Sequence, residues 1–195
     1  MKRLLINVCI LAMLASFSSC GYNGMVNREE RVSSQWAQVE NVYQRRADLI
    51  PSIVKTVQAS ANFEKGTLQA VIEARSKATS VNLHVDDLSQ ENIQKFQQAQ
   101  DGLSSALSRL MMVTEAYPNL QTSAQFRDLI TELEGSENRI TQERRKFNEA
   151  VEDYNKYIRQ LPNNLFAGMY GFEKKGYFTM KQGSDTPPEI EFDIK

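Results

Sequence analysis

Phe126, Leu133, Ile140, Phe147, Tyr154 and Leu161 fall seven residues apart, with Ile130, Val151 and Ile158 at interleaved positions. A recurrence of seven sustained this long places one apolar seam along one face of an α-helix; a strand, whose period is two, cannot use it. Starting at Thr122, which pairs with Gln125 as a capping box, about 38 helical residues make a rod of about 57 Å. Such a rod must bury its seam along its whole length, so it demands partners of similar reach.

The rest of the chain supplies them. From Met25 to Asn62 the apolar positions step by three and four through Val32, Trp36, Val39, Tyr43, Ile50, Ile53 and Val57. Pro51 interrupts this stretch, but the pattern resumes in phase, so the expectation is a kink at Arg46–Pro51 rather than an end. A second helix is expected from Phe63 to Ala78, with Leu68, Val71, Ile72 and Arg75 on one face. Thr79 to Asp87 reads as a loop, and Asp87 with Gln90 resembles a capping box. The next helix carries Phe96, Ala99, Leu103, Ala106, Leu110 and Val113, and stops at Tyr117 because the residue before a proline disfavours helix. The expected fold is all-α: an elongated antiparallel four-helix bundle with long helices, followed by an irregular aromatic C-terminal segment.

That last segment begins where Pro162-Asn163-Asn164 ends the long helix. Residues 20–165 form the expected bundle. Residues 166–195 are expected to pack on it, with a flexible tail from about residue 181. Leu165, Phe166, Met169, Tyr170, Phe172, Tyr177 and Phe178 either fold back over the bundle or form an exposed patch for a partner. Glu189 to Lys195 alternates acidic and apolar residues. It is either a short disordered tail or a strand offered to the open sheet edge of a partner.

The N-terminus reads as an address. Met1-Lys2-Arg3 is positive, Leu4 to Leu14 is apolar apart from Asn7, and Ala15 to Ser19 is small and polar apart from Phe17. This is the tripartite pattern of an export signal, residues 1–19, and it is too short for a spanning helix. Cys20 and Gly21 follow it in a way that resembles the bacterial lipobox, with Phe17 standing where an aliphatic residue is usual. By that resemblance Cys20 takes a thioether-linked diacylglyceride, is cleaved from Ser19, and carries a further acyl chain such as palmitate on its new amine. Two or more chains hold a protein on a membrane stably, where one does not. The alternative is an uncleaved signal anchor. Gly21 after the lipid site resembles the sorting pattern of outer-membrane lipoproteins facing the periplasm.

Charge excludes further classes. The chain holds 23 basic and 24 acidic residues. Loss of Lys2 and Arg3 with the signal leaves 21 against 24, a net of −3, with no basic face for nucleic acid. Cys9 would leave with the signal, so the mature chain would hold one cysteine and no disulfide or cysteine-based zinc site. His84 is the sole histidine, which rules out the paired Glu-x-x-His of a di-iron bundle and leaves a Ser–His triad without support. No phosphate-binding glycine loop, G-x-S-x-G elbow or H-E-x-x-H is present. No enzyme, metal or cofactor is expected. Three charged residues do lie on apolar seams: Arg46, Glu137 and Arg144, with Glu73, Arg75 and Glu115 as candidate neighbours. They form either a buried site for a ligand or proton, or a set of ion pairs that fixes helix register.

Several strings carry a family resemblance: Gly21-Tyr22-Asn23, Trp36-x-x-Val39-Glu40, Arg45-Arg46-Ala47-Asp48-Leu49-Ile50-Pro51, Glu73-Ala74-Arg75, Leu107-x-Arg109-Leu110, Glu115-Ala116-Tyr117-Pro118 and Glu134-Gly135-Ser136-Glu137-Asn138-Arg139-Ile140. Arg144-Arg145-x-Phe147-Asn148-x-x-Val151-x-x-Tyr154-Asn155 and the aromatic run Leu165 to Phe172 complete them. Together they resemble the LemA family across nearly the whole mature chain. The resemblance implies a helical bundle held near a membrane by its N-terminus, a lipobox replacing the usual anchor helix here. It implies no catalytic residue. It points to a partner only through the membrane proteins with TPM-type domains often encoded beside such genes. The functional expectation is a membrane-tethered, non-enzymatic envelope adaptor or scaffold. The alternative is a lipid- or small-molecule-binding bundle using the Arg46, Glu137 and Arg144 seam.

Overall fold

The computed structural model describes residues 21–59 and 63–179 in full, and residues 2–20 by their backbone alone. Helix α1 spans Lys2–Gln58, α2 Lys65–Ser80, α3 Gln90–Thr114, α4 Pro118–Gln121, α5 Ala124–Arg159 and α6 Asn163–Ala167, with one 3₁₀ turn at Val85–Asp87. No strand occurs among the described residues. The Glu189–Lys195 tail lies outside them.

Helix α1 continues through Pro51 without ending. Proline has no N–H for the carbonyl four residues back, which here belongs to the buried Ala47. Arg75 of α2 fills that vacancy: its Nε donates to the Ala47 carbonyl oxygen at 2.8 Å. The helix therefore passes its proline with the freed acceptor satisfied from outside, and the same contact joins α2 to α1.

The cap residues differ from those expected by one or two positions. Ser89, rather than Asp87, caps α3 by accepting from the Asn92 N–H. Ser123, rather than Thr122, caps α5 by accepting from the Phe126 N–H. In each case a neighbouring serine sits in the extended conformation a cap requires. Helix α3 ends at Thr114, before Tyr117, and Pro118 opens α4 at a position where its missing N–H costs nothing.

The seam of α5 is buried at Phe126, Leu133, Ile140, Phe147, Tyr154, Val151 and Ile158. Leu161 is not: α5 ends at Arg159, and Leu161 stands 76% exposed beyond it. Ile72 also departs from expectation. It is largely exposed, because Leu68 and Val71 already fill the narrow face that α2 buries.

Cross-helix pairs give the direction of packing. Arg28 pairs with Asp153, while Arg45 and Arg46, further along α1, pair with Glu132 and Glu137, earlier on α5. Gln100 of α3 reaches the end of α2 at Ala78, while Phe63, just before α2, meets Tyr117, just after α3. The interior divides into two apolar clusters. One holds Trp36, Tyr43, Phe96, Phe147, Tyr154 and Phe178. The other holds Ile50, Ile53, Val71, Leu103, Leu110 and Phe126. Arg46 stands between them in sequence on α1, as Ser136 and Glu137 do on α5.

Candidate functional site

The boundary between the two cores is a polar layer centred on Arg46, which is 1% exposed. Its Nη1 donates to Glu137 Oε1 at 2.7 Å and to Ser104 Oγ at 2.8 Å. Its Nη2 donates to the Gln100 side chain at 2.6 Å and to the Gln100 carbonyl at 3.3 Å. Gln100 in turn donates from Nε2 to the Ala78 carbonyl at 3.1 Å. One guanidinium thus links α1, α3 and α5 directly and α2 through Gln100. Arg46 Nε alone has no hydrogen-bond partner, and the guanidinium stands 5.2 Å from the Tyr43 ring centroid. A planar fork of five donors suits this task, where a lysine's single ammonium would not.

Beside this layer lies a cavity of about 210 Å³ lined in part by Glu40, Tyr43, Thr79, Phe96 and Gln100. Desolvation raises the Glu40 carboxyl above its ordinary value, against smaller opposing effects of Trp36 and His84. Burial likewise raises the Tyr43 phenol. Both groups are therefore held toward their neutral forms.

The seam expected from sequence is brought together in part. Arg46 and Glu137 meet. Arg144, seven residues further along α5, acts elsewhere: its Nη2 donates to the Thr179 carbonyl at 3.0 Å and its guanidinium lies 4.7 Å from the Phe178 ring centroid. Seven helical residues carry it about 10 Å along the axis from Glu137, although its charge still acts on the Tyr43 phenol, opposing the rise caused by burial. Arg75 goes to the α1 backbone, Glu73 accepts from Gln69 on its own helix, and Glu115 lies exposed.

Arg144 belongs to a second arrangement, which sequence reasoning missed. Residues 172–179 run extended past α3 and α5, held by four carboxamides. Asn155 accepts from the Lys175 N–H and donates to the Lys175 carbonyl, at 3.0 and 2.8 Å. Asn148 does the same for Phe178, both at 2.9 Å. From α3, Gln90 grips Tyr177 at 2.9 and 3.1 Å, and Gln97 grips Thr179 at 3.2 and 2.9 Å. A carboxamide presents one donor and one acceptor side by side, so each replaces what a neighbouring strand would offer. Both pairs are seven residues apart on their helices, and that recurrence of amides was the available signal.

Other contacts complete the clamp. The Tyr154 hydroxyl donates to the Glu173 carbonyl at 2.9 Å, and the Gly176 N–H donates to the Leu88 carbonyl at 2.7 Å. Desolvation, followed by the charge of Glu29, pushes the Tyr154 phenol far above its ordinary range. Gly176 passes so close that a Cβ there would lie 2.6 Å from Gln90 Cα. Gly171, at φ +78°, makes the turn that starts the segment. Phe178 then enters the first of the two cores, 6.1 Å from the Trp36 ring and 5.5 Å from that of Phe147.

The aromatic run Leu165 to Phe178 therefore divides. Phe172 and Phe178 are buried, whereas Leu165, Met169 and Tyr170 are exposed. In Arg144-Arg145-x-Phe147-Asn148-x-x-Val151-x-x-Tyr154-Asn155, Phe147 and Val151 fill the core, Arg144, Asn148 and Asn155 hold the C-terminal segment, and Tyr154 does both. Among the described residues no three His, Cys, Asp or Glu side chains converge as metal ligands would. Among those described with their side chains, no helix is long and apolar enough to cross a membrane.

The chain is 26% identical over 204 residues to the magnetosome protein MamQ of Magnetospirillum gryphiswaldense, covering 95% of this chain and 75% of that one. It is 28% identical over 185 residues to each of the magnetosome proteins MamQ 1 and MamQ 2 of Paramagnetospirillum magneticum, covering 85% of this chain and 67% of theirs. The LemA family model matches residues 35–192, a span that takes in the Arg46 layer and the whole carboxamide clamp, and the chain belongs to the LemA family.

Proposed function

We propose that this protein is a membrane-tethered, non-enzymatic adaptor of the cell envelope, built as an elongated antiparallel four-helix bundle. Cys20 carries the lipid anchor, and the bundle stands on the outer membrane in the periplasm. Its partner is a membrane protein, with the TPM-type proteins as the first candidates. The observation that carries this reading is the clamp on residues 172–179. Four carboxamides and Arg144 grip its backbone, so they hold the segment in place as far as Thr179. An adaptor needs such a rigid base for a terminal contact arm, here the alternating Glu189–Lys195. Pairing with the partner's sheet edge would use main-chain hydrogen bonds for affinity and Ile190, Phe192 and Ile194 for specificity.

The second reading is a small-molecule-binding bundle, favoured by the cavity of about 210 Å³ beside Gln100. Two variants separate them. Deletion of 189–195 abolishes partner capture under the adaptor reading and leaves it intact under the other. Arg46→Met, assayed where it remains folded, spares partner capture under the adaptor reading and abolishes function if the polar layer is a ligand site.

A further inference from the structure

Seven large apolar side chains are exposed among the described residues, and five of them gather at one end of the molecule. Leu161, Leu165 and Met169 are 76%, 66% and 75% exposed, joined by Tyr22 and Tyr170. The other two, Ile72 and Met112, lie on α2 and α3. The gathering has a structural cause. Helix α6 and its flanks turn back against α1: the Tyr22 ring lies 5.1 Å from Tyr170 and 5.7 Å from Phe172, and a Cβ on Gly21 would meet Asn163 at 2.8 Å. This is where α1 arrives from the apolar run Leu4–Leu14, and Cys20 lies two residues from Tyr22. Whether attachment is by lipid on Cys20 or by a retained leader, the bilayer begins within a turn or two of these side chains.

From this juxtaposition we infer that Leu161, Leu165, Met169, Tyr22 and Tyr170 form a bilayer-contacting foot. It inserts at the boundary between headgroups and acyl chains and sets the bundle upright on the membrane. The composition fits that depth: aliphatic side chains prefer the acyl boundary, and tyrosine rings prefer the headgroup level. A patch of this kind left in water would be a liability for association. The inference rests on the tethering proposed above and adds to it a second, non-covalent contact that fixes orientation.

The test uses the full chain, purified from membranes in a Cys9→Ala background and reconstituted into phosphatidylethanolamine–phosphatidylglycerol vesicles. A nitroxide is placed at Gly168→Cys, and in a separate sample at Gly135→Cys on α5. A Cβ at either glycine would meet nothing within 4 Å, so both positions open onto free space, and neither is a foot residue. Flotation of the vesicles reports tethering, and relaxation by an aqueous nickel chelate reports immersion. The expected result is flotation of both samples, with the label at 168 several-fold less accessible to nickel than the label at 135. The combined variant Leu161→Ser, Leu165→Ser, Met169→Ser should still float and melt as before, while the label at 168 becomes as accessible as that at 135. Flotation with equal accessibility in the parent protein overturns the foot and leaves tethering standing. Shielding that survives the serine variant also overturns it. Failure to float overturns the tethering and the foot together.

Discussion

Arg46 shows how unequal two halves of one ion pair can be. The guanidinium is 1% exposed and the Glu137 carboxylate 42% exposed. Removing the arginine leaves Gln100 and Ser104 with lost partners inside the bundle, whereas neutralising the carboxylate leaves a group that water already reaches. Arg46→Met should therefore cost about 2–4 kcal/mol in urea unfolding, and Glu137→Gln at most about 1 kcal/mol. Phe178→Ala opens a void beside Trp36 and should cost about 3–5 kcal/mol. The phenols of Tyr43 and Tyr154, both raised by burial, give a prediction at high pH. In the unfolded chain they release protons near the ordinary tyrosine value of about 10, while the folded chain retains them. The folded state then binds more protons, so stability falls as pH rises past that value. Spectrophotometric titration should show these two tyrosinates appearing only as the helical signal is lost.

At the scale of elements, α1 and α2 are coupled through a proline. Pro51 withholds an N–H from Ala47, and Arg75 supplies one. In a double-mutant cycle, Arg75→Met should lose about 1 kcal/mol in the parent and clearly less in a Pro51→Ala background, where the helix satisfies Ala47 itself. Equal losses would mean that Arg75 acts by packing alone. This scale also shows what could be read in advance. The helices were legible because apolar recurrence is a local signal, and the stripe from Phe126 to Ile158 is buried as that recurrence requires. Arg46 and Glu137 were legible as charges on seams. Their common layer depends on the register between helices 91 residues apart, which no local pattern carries. The clamp was hidden for a different reason. Asn148, Asn155, Gln90 and Gln97 look like ordinary surface amides until an extended segment lies against them. Gly176 gave no sign of needing to be glycine, because the atoms that crowd it belong to Ser89 and Gln90.

For the whole molecule, the polar layer and the clamp divide the labour. The layer fixes how the helices sit against one another. The clamp closes the core around Trp36 with Phe178 and holds the chain as far as Thr179. Gly176→Ala should loosen this closure: the segment must shift off Gln90, and amide exchange at Lys175, Tyr177, Phe178 and Thr179 should rise together while the second core, around Leu103 and Leu110, stays protected. The adaptor proposal turns on what residues 189–195 meet. Cross-linking the native protein in intact cells, followed by mass spectrometry, tests it most directly. One dominant membrane-protein partner is expected, with its cross-links falling in residues 180–195 and lost when 189–195 are deleted. Cross-links only between copies of this chain, or a partner joined elsewhere and indifferent to the deletion, would contradict it.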